Sequence, residues 1–244
     1  MALHFVLEDG GGLEGDEVVL EGREAHHAAA VRRLRAGEQV TVGDGRGTWL
    51  RGEAAEVSSG RVVITVQERR HVPAAEPRLV LVQALAKGDR DELAVQAATE
   101  IGADEIVPWQ ATRSVSRWEG AKREKGRARW RTIAREAAKQ AHRAWIPEVA
   151  EPVSTAQLIE RGRGARVLLL VPGAAVPLSG TVLDAADASD VVLVVGPEGG
   201  MAPEEIERLC EGGARPVRLG QNVLRTSTAG PAALAIVSAA LGRW

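Results

Sequence analysis

The sequence predicts a small β-rich N-terminal unit followed by an α/β domain with a largely parallel sheet. Beyond residue 73, the apolar runs at 79–85, 167–171 and 191–195 are continuous rather than alternating, which is typical of strands covered on both faces. Stretches with helical spacing separate these runs, as in strands joined by helical crossovers. Before residue 70, short β-branched runs are broken by Gly, Asp and Ser clusters, a pattern that fits a small barrel.

The N-terminal unit is expected to end near residue 73. Its strands are predicted at 18–20, 39–42, 48–54 and 61–67, with one helix at 23–35. The segment 69–77 then places two prolines and small residues between strand-like runs, as linkers do. We therefore expect two domains, residues 1–72 and residues 73–244.

The second domain should alternate strands and helices. Helices are predicted at 91–101, ending at Gly102, and at 124–141, 203–210 and 229–241, with further strands at 105–108 and 216–219. Ligands of such sheets bind beyond the carboxyl ends of the strands. The candidate loops are therefore 172–174, 196–201 and 220–228.

Composition excludes several classes of protein. With 45% hydrophobic and 26% charged residues, the chain of 244 residues is neither disordered nor short of core. No apolar run reaches the roughly 18–20 residues of a membrane-spanning helix, and the N-terminus lacks the basic and apolar segments of a secretory signal. The single cysteine, Cys210, cannot form an internal disulfide. We expect a cytoplasmic protein that does not engage a membrane.

The net charge of −2 conceals a basic window. Between Arg113 and Arg143 there are eleven Lys or Arg residues against three Glu residues, a local net charge of +8. Within it Arg123, Arg127, Arg131, Arg135 and Lys139 recur every four residues, which places them in one row along a helix. Such a row suits a nucleic-acid backbone. A solvated helix face is the alternative.

A glycine-rich loop connects a predicted strand to a predicted helix at 196–200, with the sequence GPEGG. It has neither the Gly-Lys-Ser/Thr of a P-loop nor the spacing of a dinucleotide fingerprint. Glu204 and Glu205 occupy the first turn of the next helix, where they would repel phosphate. The loop therefore suits a ligand that backbone groups recognise, such as an adenosine without a polyphosphate. A tight turn without a ligand is the alternative.

The loop at 220–228 leaves the last predicted strand and enters the last helix, with Thr228 expected as its N-cap. Arg225 follows apolar Val223 and Leu224. An arginine in such a position can stabilise developing negative charge, although a structural salt bridge is the commoner explanation.

Metal, hydrolase and redox sites find no support in the sequence. His26 and His27 are adjacent and point in different directions on a helix, with no third ligand at zinc spacing. An RNA contact or a capping role fits them better. Ser-His-Asp order, HExxH and CxxC patterns are absent from the sequence.

Together these segments resemble the RsmE family of 16S ribosomal RNA uridine-N3 methyltransferases, which belongs to the SPOUT superfamily. The similarity covers nearly the whole chain. In family order it comprises EAHHAAAVRRLRAGEQVTVGDGRG, ALAKGDRDELAVQAATEIGADEIVPWQATRSV, REAAKQAHRAWIPEV, LVVGPEGGMAPEEIERL and VRLGQNVLRTSTA. Within the last motif, the family usually has an arginine and a glutamate where this chain has Asn222 and Ser227.

The resemblance implies a PUA-like RNA-binding domain, a SPOUT methyltransferase domain with a C-terminal trefoil knot, and a homodimer. It implies S-adenosylmethionine as cofactor and 16S ribosomal RNA, free or in the small ribosomal subunit, as substrate. No metal is expected. The cofactor-binding residues are then Pro172, Gly173, Gly196, Pro197, Glu198, Gly199, Gly200, Leu219, Gly220, Val223, Leu224, Arg225 and Thr226.

The implied reaction is an in-line displacement at the cofactor methyl group by a uridine N3 that loses its proton. We assign Arg225 the catalytic role of stabilising the negative charge on uracil O2 or O4. Methylation at C5 would need a cysteine nucleophile, and Cys210 lies in a predicted surface helix; no general base is identified. RNA contacts are expected at His27, Arg33, Lys87, Arg113, Arg123, Arg127, Arg131, Arg135 and Lys139.

Two alternatives remain. One is another SPOUT enzyme that acts on transfer RNA or on a ribose 2′-hydroxyl. The other is a non-catalytic ribosome-binding protein with the same two domains, which would not bind the cofactor.

Overall fold

The structure is a computed structural model that describes residues 2–7, 12–181 and 189–244. It contains two compact units. The first comprises Met1–Ala74 and Ala138–Ile146, and the second comprises Ala75–Ala137 and Pro147–Trp244. The segment Ala138–Ile146 therefore packs with N-terminal residues although it follows the linker in sequence.

A five-stranded sheet with the order β1-β3-β4-β5-β2 forms the first unit. Strands β1 and β3 are parallel, and the other neighbours are antiparallel. Two register shifts between β4 and β5 bend the sheet, and its buried side includes Phe5, Leu20, Leu50 and Ile64. The four predicted strands are present, whereas β1 was not predicted. The strands are β1 (Leu3–Val6), β2 (Glu17–Glu21), β3 (Gln39–Gly43), β4 (Thr48–Val57) and β5 (Arg61–His71).

The helix predicted at 23–35 is shorter in the structure. Helix α1 spans Gly22–His26 and continues into a π-helical turn at His27–Val31. The helical geometry stops there because Arg33 has a left-handed backbone, with φ of 54°.

A six-stranded sheet forms the centre of the second unit, in the order β11-β9-β10-β6-β7-β8. Every neighbouring pair is parallel, so the predicted parallel sheet is confirmed. The strands are β6 (Leu79–Ala84), β7 (Glu105–Trp109), β8 (Glu148–Val149), β9 (Arg166–Leu170), β10 (Val191–Val195) and β11 (Arg215–Val217).

Helices cover both faces of this sheet. Alternate strand residues such as Leu81 and Leu193 contact one apolar cluster, while Val82 and Val194 contact the other. This explains why the strands read as continuous apolar runs. The helices are α2 (Arg90–Ile101), α3 (Ala121–Gln140), α4 (Thr155–Arg161), α5 (Pro203–Glu211) and α6 (Thr226–Ala240).

Helix α6 begins earlier than predicted. Its N-cap is Arg225, in an extended conformation without a side-chain cap, and not the expected Thr228. Thr228 N instead donates to Arg225 O at 2.9 Å, inside the first turn, and Pro231 lies within the helix. Among the described residues, no helix is long and apolar enough to span a membrane.

Candidate active site

A cavity of about 430 Å³ opens beyond the carboxyl ends of β9 and β10, where ligands of open parallel sheets bind. Its volume lies in the range of small-molecule sites, about 300–1,000 Å³. Three chain segments surround it: the end of β9, the glycine-rich loop after β10, and the loop that leads into α6. These segments include the three candidate loops predicted from the sequence, at 172–174, 196–201 and 220–228.

The glycine-rich loop forms a tight turn at the end of β10. Gly200 N donates to Pro197 O at 2.9 Å, and Gly200 has a φ of +69°, which favours glycine. At Gly196, an added Cβ would lie 3.0 Å from Met201 Cγ and 3.3 Å from Met201 N. Glycine at 196 thus lets the chain fold back closely and leaves backbone groups on the cavity wall.

Thr226 fastens this loop to α6 and β6. Its hydroxyl donates to Gly196 O at 2.9 Å and accepts from Gln83 Nε2 at 2.8 Å. Gln83 is fully buried, and Thr226 is nearly so. Sequence reasoning missed Gln83, although a lone amide at the end of the apolar run LVLVQAL was a signal for a polar contact inside the sheet.

The cavity wall is mostly apolar. The sequence prediction did not include several of its residues, because their apolar side chains also fit an ordinary sheet core. Those residues are Leu170, Val171, Val195, Met201, Ile206 and Ala229. Two polar residues, Arg90 and Asn222, were also missed. An apolar wall with a few converging polar groups is typical of a site for a nucleoside-like ligand.

Arg225 lines the cavity and is exposed. Its backbone carbonyl accepts from Thr228 N and Ala229 N, both at 2.9 Å, so the first turn of α6 fixes its position. Within the described ranges, no carboxylate forms an ion pair with its guanidinium. The structural salt bridge considered from the sequence is therefore not seen there.

Glu198 connects the glycine-rich loop to the start of α2. Its Oε1 accepts from Lys87 N at 2.9 Å and from Arg90 Nη1 at 3.0 Å. Burial alone would raise the pKa of Glu198, but these hydrogen bonds and one from its own backbone amide hold the pKa below the usual value. The side chain is therefore an anion at neutral pH, engaged with Arg90.

The structure brings the predicted cofactor residues together, apart from two. Gly173 and Gly199 do not line the cavity, whereas the other predicted cofactor residues do. Gly199 O instead accepts from Arg113 Nη1 at 3.3 Å. Glu205, in the first turn of α5, is buried and accepts from the backbone N and hydroxyl of Thr112 and from the Thr155 hydroxyl.

The row of basic residues on α3 is largely engaged within the protein. Arg123 donates to Pro152 O at 3.0 Å, and Arg127 donates to Val149 O at 3.0 Å and to Glu151. Arg135 pairs with Glu136 and is 12% exposed. These contacts leave the residues little freedom to meet a phosphate.

The other predicted RNA contacts range from buried to exposed. Lys139 Nζ binds Glu24 at 2.9 and 3.0 Å, and its side chain is 4% exposed. Lys139 is thus half of a buried ion pair. Arg131 is exposed, as are Lys87, Arg113 and Arg33, while His27 is half-buried at the start of the π-helical turn.

No group of three metal-ligating side chains occurs in the part of the chain that the structure describes.

Two family models match the chain. One, described as an RNA methyltransferase domain, matches residues 74–238, and the other, an RNA methyltransferase PUA domain, matches residues 20–67. The first covers more than half of the chain and includes every segment of the cavity.

Curated relatives cover nearly the whole chain. "Ribosomal RNA small subunit methyltransferase E" of Mycobacterium bovis is 45% identical over 94% of this chain and 89% of its own. The protein of the same name in Bacillus subtilis is 33% identical over 90% of this chain and 88% of its own.

Solved structures have the same architecture. The Ribosomal RNA small subunit methyltransferase E of Neisseria gonorrhoeae, bound to S-adenosyl methionine, has a TM-score of 0.85 at 25% identity and covers 98% of both chains. A putative methyltransferase of Legionella pneumophila, in complex with bound SAM, has a TM-score of 0.84 at 28% identity, again over 98% of both chains. The fold class implied by the resemblance is confirmed. The chain belongs to the ribosomal RNA small subunit methyltransferase E family.

Proposed function

We propose that this protein transfers a methyl group from S-adenosylmethionine to N3 of a uridine in 16S ribosomal RNA. The observation that carries the proposal is the cavity beyond β9 and β10, where an exposed arginine meets an apolar wall and a glycine-rich loop. Membership in the family and the cofactor bound by its solved relatives support the proposal.

The cavity suits S-adenosylmethionine because this cofactor contains adenosine but no phosphate. Apolar residues such as Leu170 and Ile206 offer a surface for an adenine ring. The backbone of the glycine-rich loop, held by Thr226 at Gly196 O, supplies polar groups for the ribose and adenine edges. The exposed Glu204 in the first turn of α5 disfavours a polyphosphate.

Arg225 is the residue we assign to catalysis. When bound, the cofactor supplies an electrophilic methyl group, and N3 of uracil must lose its proton to attack it. Negative charge then spreads to O2 and O4, and the Arg225 guanidinium, which pairs with no carboxylate of the described residues, can hydrogen-bond those oxygens. The fixed backbone of Arg225 at the start of α6 gives this cation a defined position.

Chemistry at C5 of the uracil finds little support. It would require a thiolate nucleophile, and the single cysteine, Cys210, lies half-buried on α5, where burial raises the pKa of its thiol. Cys210 also does not line the cavity. A nitrogen or an oxygen is therefore the acceptor, and the family resemblance favours N3.

The remaining assignments follow from the same proposal. Residues 1–72 would form the PUA-like RNA-binding domain and residues 73–244 the catalytic domain. Of the predicted RNA contacts, the exposed Arg33, Lys87, Arg113 and Arg131 are retained. A cytoplasmic homodimer that acts on free 16S ribosomal RNA or on the small subunit completes the proposal, and sedimentation of the purified protein tests its dimeric state.

Calorimetric titration tests the site. We expect S-adenosylmethionine to bind and ATP to give no appreciable signal, because acidic and not basic side chains follow the glycine-rich loop. ATP binding without S-adenosylmethionine binding would overturn the site assignment. Binding of neither ligand would favour the non-catalytic ribosome-binding alternative.

A further inference from the structure

Helix α3 carries a second basic face next to the row that the sequence singled out. Arg123 and Arg127 point to backbone carbonyls near β8. Lys122, Lys125 and Arg129 instead line a separate cavity of about 560 Å³ within the second unit. Their spacing of three and four residues places them on one side of the helix.

Three other segments complete this second cavity, which we call the α3 cavity. They are the loop after β6, the start of α2, and the stretch that precedes α3. The lining residues are Ala86, Lys87, Gly88, Asp91, Glu92, Val115, Ser116, Arg117, Trp118, Lys122, Lys125, Gly126, Arg129 and Trp130.

Charge in the α3 cavity is unbalanced. Arg129 and Glu92 neutralise each other through a close pair, with Arg129 Nη2 3.0 Å from Glu92 Oε2. The buried Asp91 accepts from Ala86 N and Glu92 N, and burial raises the pKa of Asp91 to about 6.

At neutral pH Asp91 is still mostly ionised, so one anion stands against the four remaining cations of the lining, Lys87, Arg117, Lys122 and Lys125. All four are exposed, and none forms an ion pair with a carboxylate of residues 2–7, 12–181 or 189–244. Like charges around one cavity repel each other, and a bound polyanion would relieve that repulsion.

Apolar surface lies beside these cations. Trp118 is half-buried and packs edge-on against Trp130, with ring centroids 5.1 Å apart. Gly126 permits this packing, because an added Cβ would lie 2.5 Å from the Trp118 ring. Val115, with 72% exposure, adds apolar surface to the lining. Cations beside aromatic and aliphatic surface suit a nucleotide strand better than a small inorganic anion.

The α3 cavity adjoins the first cavity, beyond the carboxyl ends of β9 and β10, which we call the cofactor cavity. Lys87 lines the α3 cavity, and its backbone N donates to Glu198, which lines the cofactor cavity together with Arg90. A strand whose target base enters the cofactor cavity could therefore continue past Lys87 toward α3.

We propose that the α3 cavity binds the phosphodiester backbone of the RNA strand next to the methylated nucleotide, through Lys87, Arg117, Lys122 and Lys125. This inference rests on the proposed function for the identity of the strand. Of the four cations, the predicted RNA contacts contained Lys87 alone; Arg117, Lys122 and Lys125 belong to the basic window but not to its four-residue repeat.

The test compares the double variant Lys122→Ala/Lys125→Ala with the control Arg208→Ala/Arg215→Ala. The control removes two exposed cations of the second unit that line neither cavity. Binding of 16S ribosomal RNA is measured at several salt concentrations by filter retention, without a methylation step. Cofactor affinity is measured by calorimetry and folding by thermal unfolding.

We expect the cavity variant to bind RNA about tenfold more weakly, with a salt slope reduced by about 0.7 for each lost phosphate contact. Its cofactor affinity and unfolding temperature should match those of the control. RNA affinity and salt slope equal to those of the control would overturn the proposal. If the alanine variant binds RNA weakly because it is unfolded, the variant Lys122→Gln/Lys125→Gln is measured instead, with the same expectation. In a separate assay, absence of methylation by the unsubstituted protein, with this binding difference intact, would contradict the proposed function and leave the α3 cavity as an RNA site.

Discussion

Arg225 is an exposed cation at the start of α6, and its position lets binding be separated from catalysis. Backbone groups of the glycine-rich loop are expected to do most of the cofactor binding. The guanidinium is needed only when charge develops on the uracil ring. The sequence suggested this residue because apolar neighbours precede it, whereas the lack of a carboxylate partner among the described residues became visible only in the structure.

Arg225→Ala should lower the single-turnover methylation rate by about 10²–10³, the usual cost of losing one preorganised donor. Cofactor affinity should change far less. Arg225→Lys should recover only part of the rate, because lysine retains the charge but not the planar fork. Rapid-quench methylation and calorimetry provide the measurements, with Arg208→Ala as the control. An Arg225→Ala protein that loses cofactor binding but keeps its rate at saturating cofactor would contradict the assignment.

His4 is a buried imidazole in the first unit that should make stability depend on pH. It bonds Thr41 Oγ1 through Nδ1 at 2.9 Å and stacks on Trp49 with centroids 4.4 Å apart. Burial, with smaller effects of His142 and Lys139, lowers the pKa of His4 to about 4. The folded state thus requires the neutral form, while the unfolded chain protonates near 6.5.

Stability from the neutral His4 is complete above pH 6.5 and decreases as the pH falls from 6.5 toward 4. The loss across that window amounts to at most about 3 kcal/mol. In His4→Phe, which keeps the stacked ring, the unfolding free energy should fall less steeply over the same window. Urea unfolding at pH 4.5 to 7 measures both slopes, and equal slopes would show that His4 titrates normally in the folded state.

At the scale of elements, the hydroxyl of Thr226 holds α6, β6 and the glycine-rich loop together. This contact explains why α6 begins at Thr226, three residues before the helix predicted from apolar spacing. Sequence periodicity cannot detect it, because Gln83 and Thr226 are 143 residues apart. The parallel strands, by contrast, were predictable, because a strand that is buried on both faces has apolar residues at successive positions.

Thr226→Val should destabilise the protein by about 1–3 kcal/mol, because the buried Gln83 amide and Gly196 carbonyl each lose a partner. Cofactor affinity should fall with it, since the loop is no longer fixed. Thr226→Ser, which keeps the hydroxyl, should stay close to the wild type in both respects. Urea unfolding and calorimetry measure the effects. A loss confined to the serine variant, with the valine variant close to the wild type, would mean that the methyl group, and not the hydrogen bonds, matters.

In helix α3, the pattern of basic residues in the sequence and their contacts in the structure differ. The four-residue repeat correctly marked one side of the helix, but Arg127 and Lys139 on that side bind Val149 O and Glu24. Charge spacing alone does not distinguish cations that are paired within the fold from cations that face solvent. The neighbouring face, with Lys122 and Lys125, lines the α3 cavity that we propose as an RNA site.

For the whole molecule, the sequence allowed the parallel sheet, the three cavity loops and most of the cavity residues to be predicted. Ligand sites of such folds lie at strand ends, so the short loops after apolar runs contained the information. What the sequence did not reveal depends on long-range packing. Examples are strand β1, the packing of Ala138–Ile146 with the first unit, and the position of Arg90 in the cavity wall.

The central claim is methylation at N3 of a uridine in 16S ribosomal RNA, and nucleoside mass spectrometry tests it most directly. Small ribosomal subunits from a strain that lacks the enzyme are incubated with the protein and methyl-labelled S-adenosylmethionine, and the 16S ribosomal RNA is then digested to nucleosides. We predict label in 3-methyluridine, strongly reduced with Arg225→Ala. Label in 5-methyluridine or in a 2′-O-methylated nucleoside, or no label although the cofactor binds, would contradict the account.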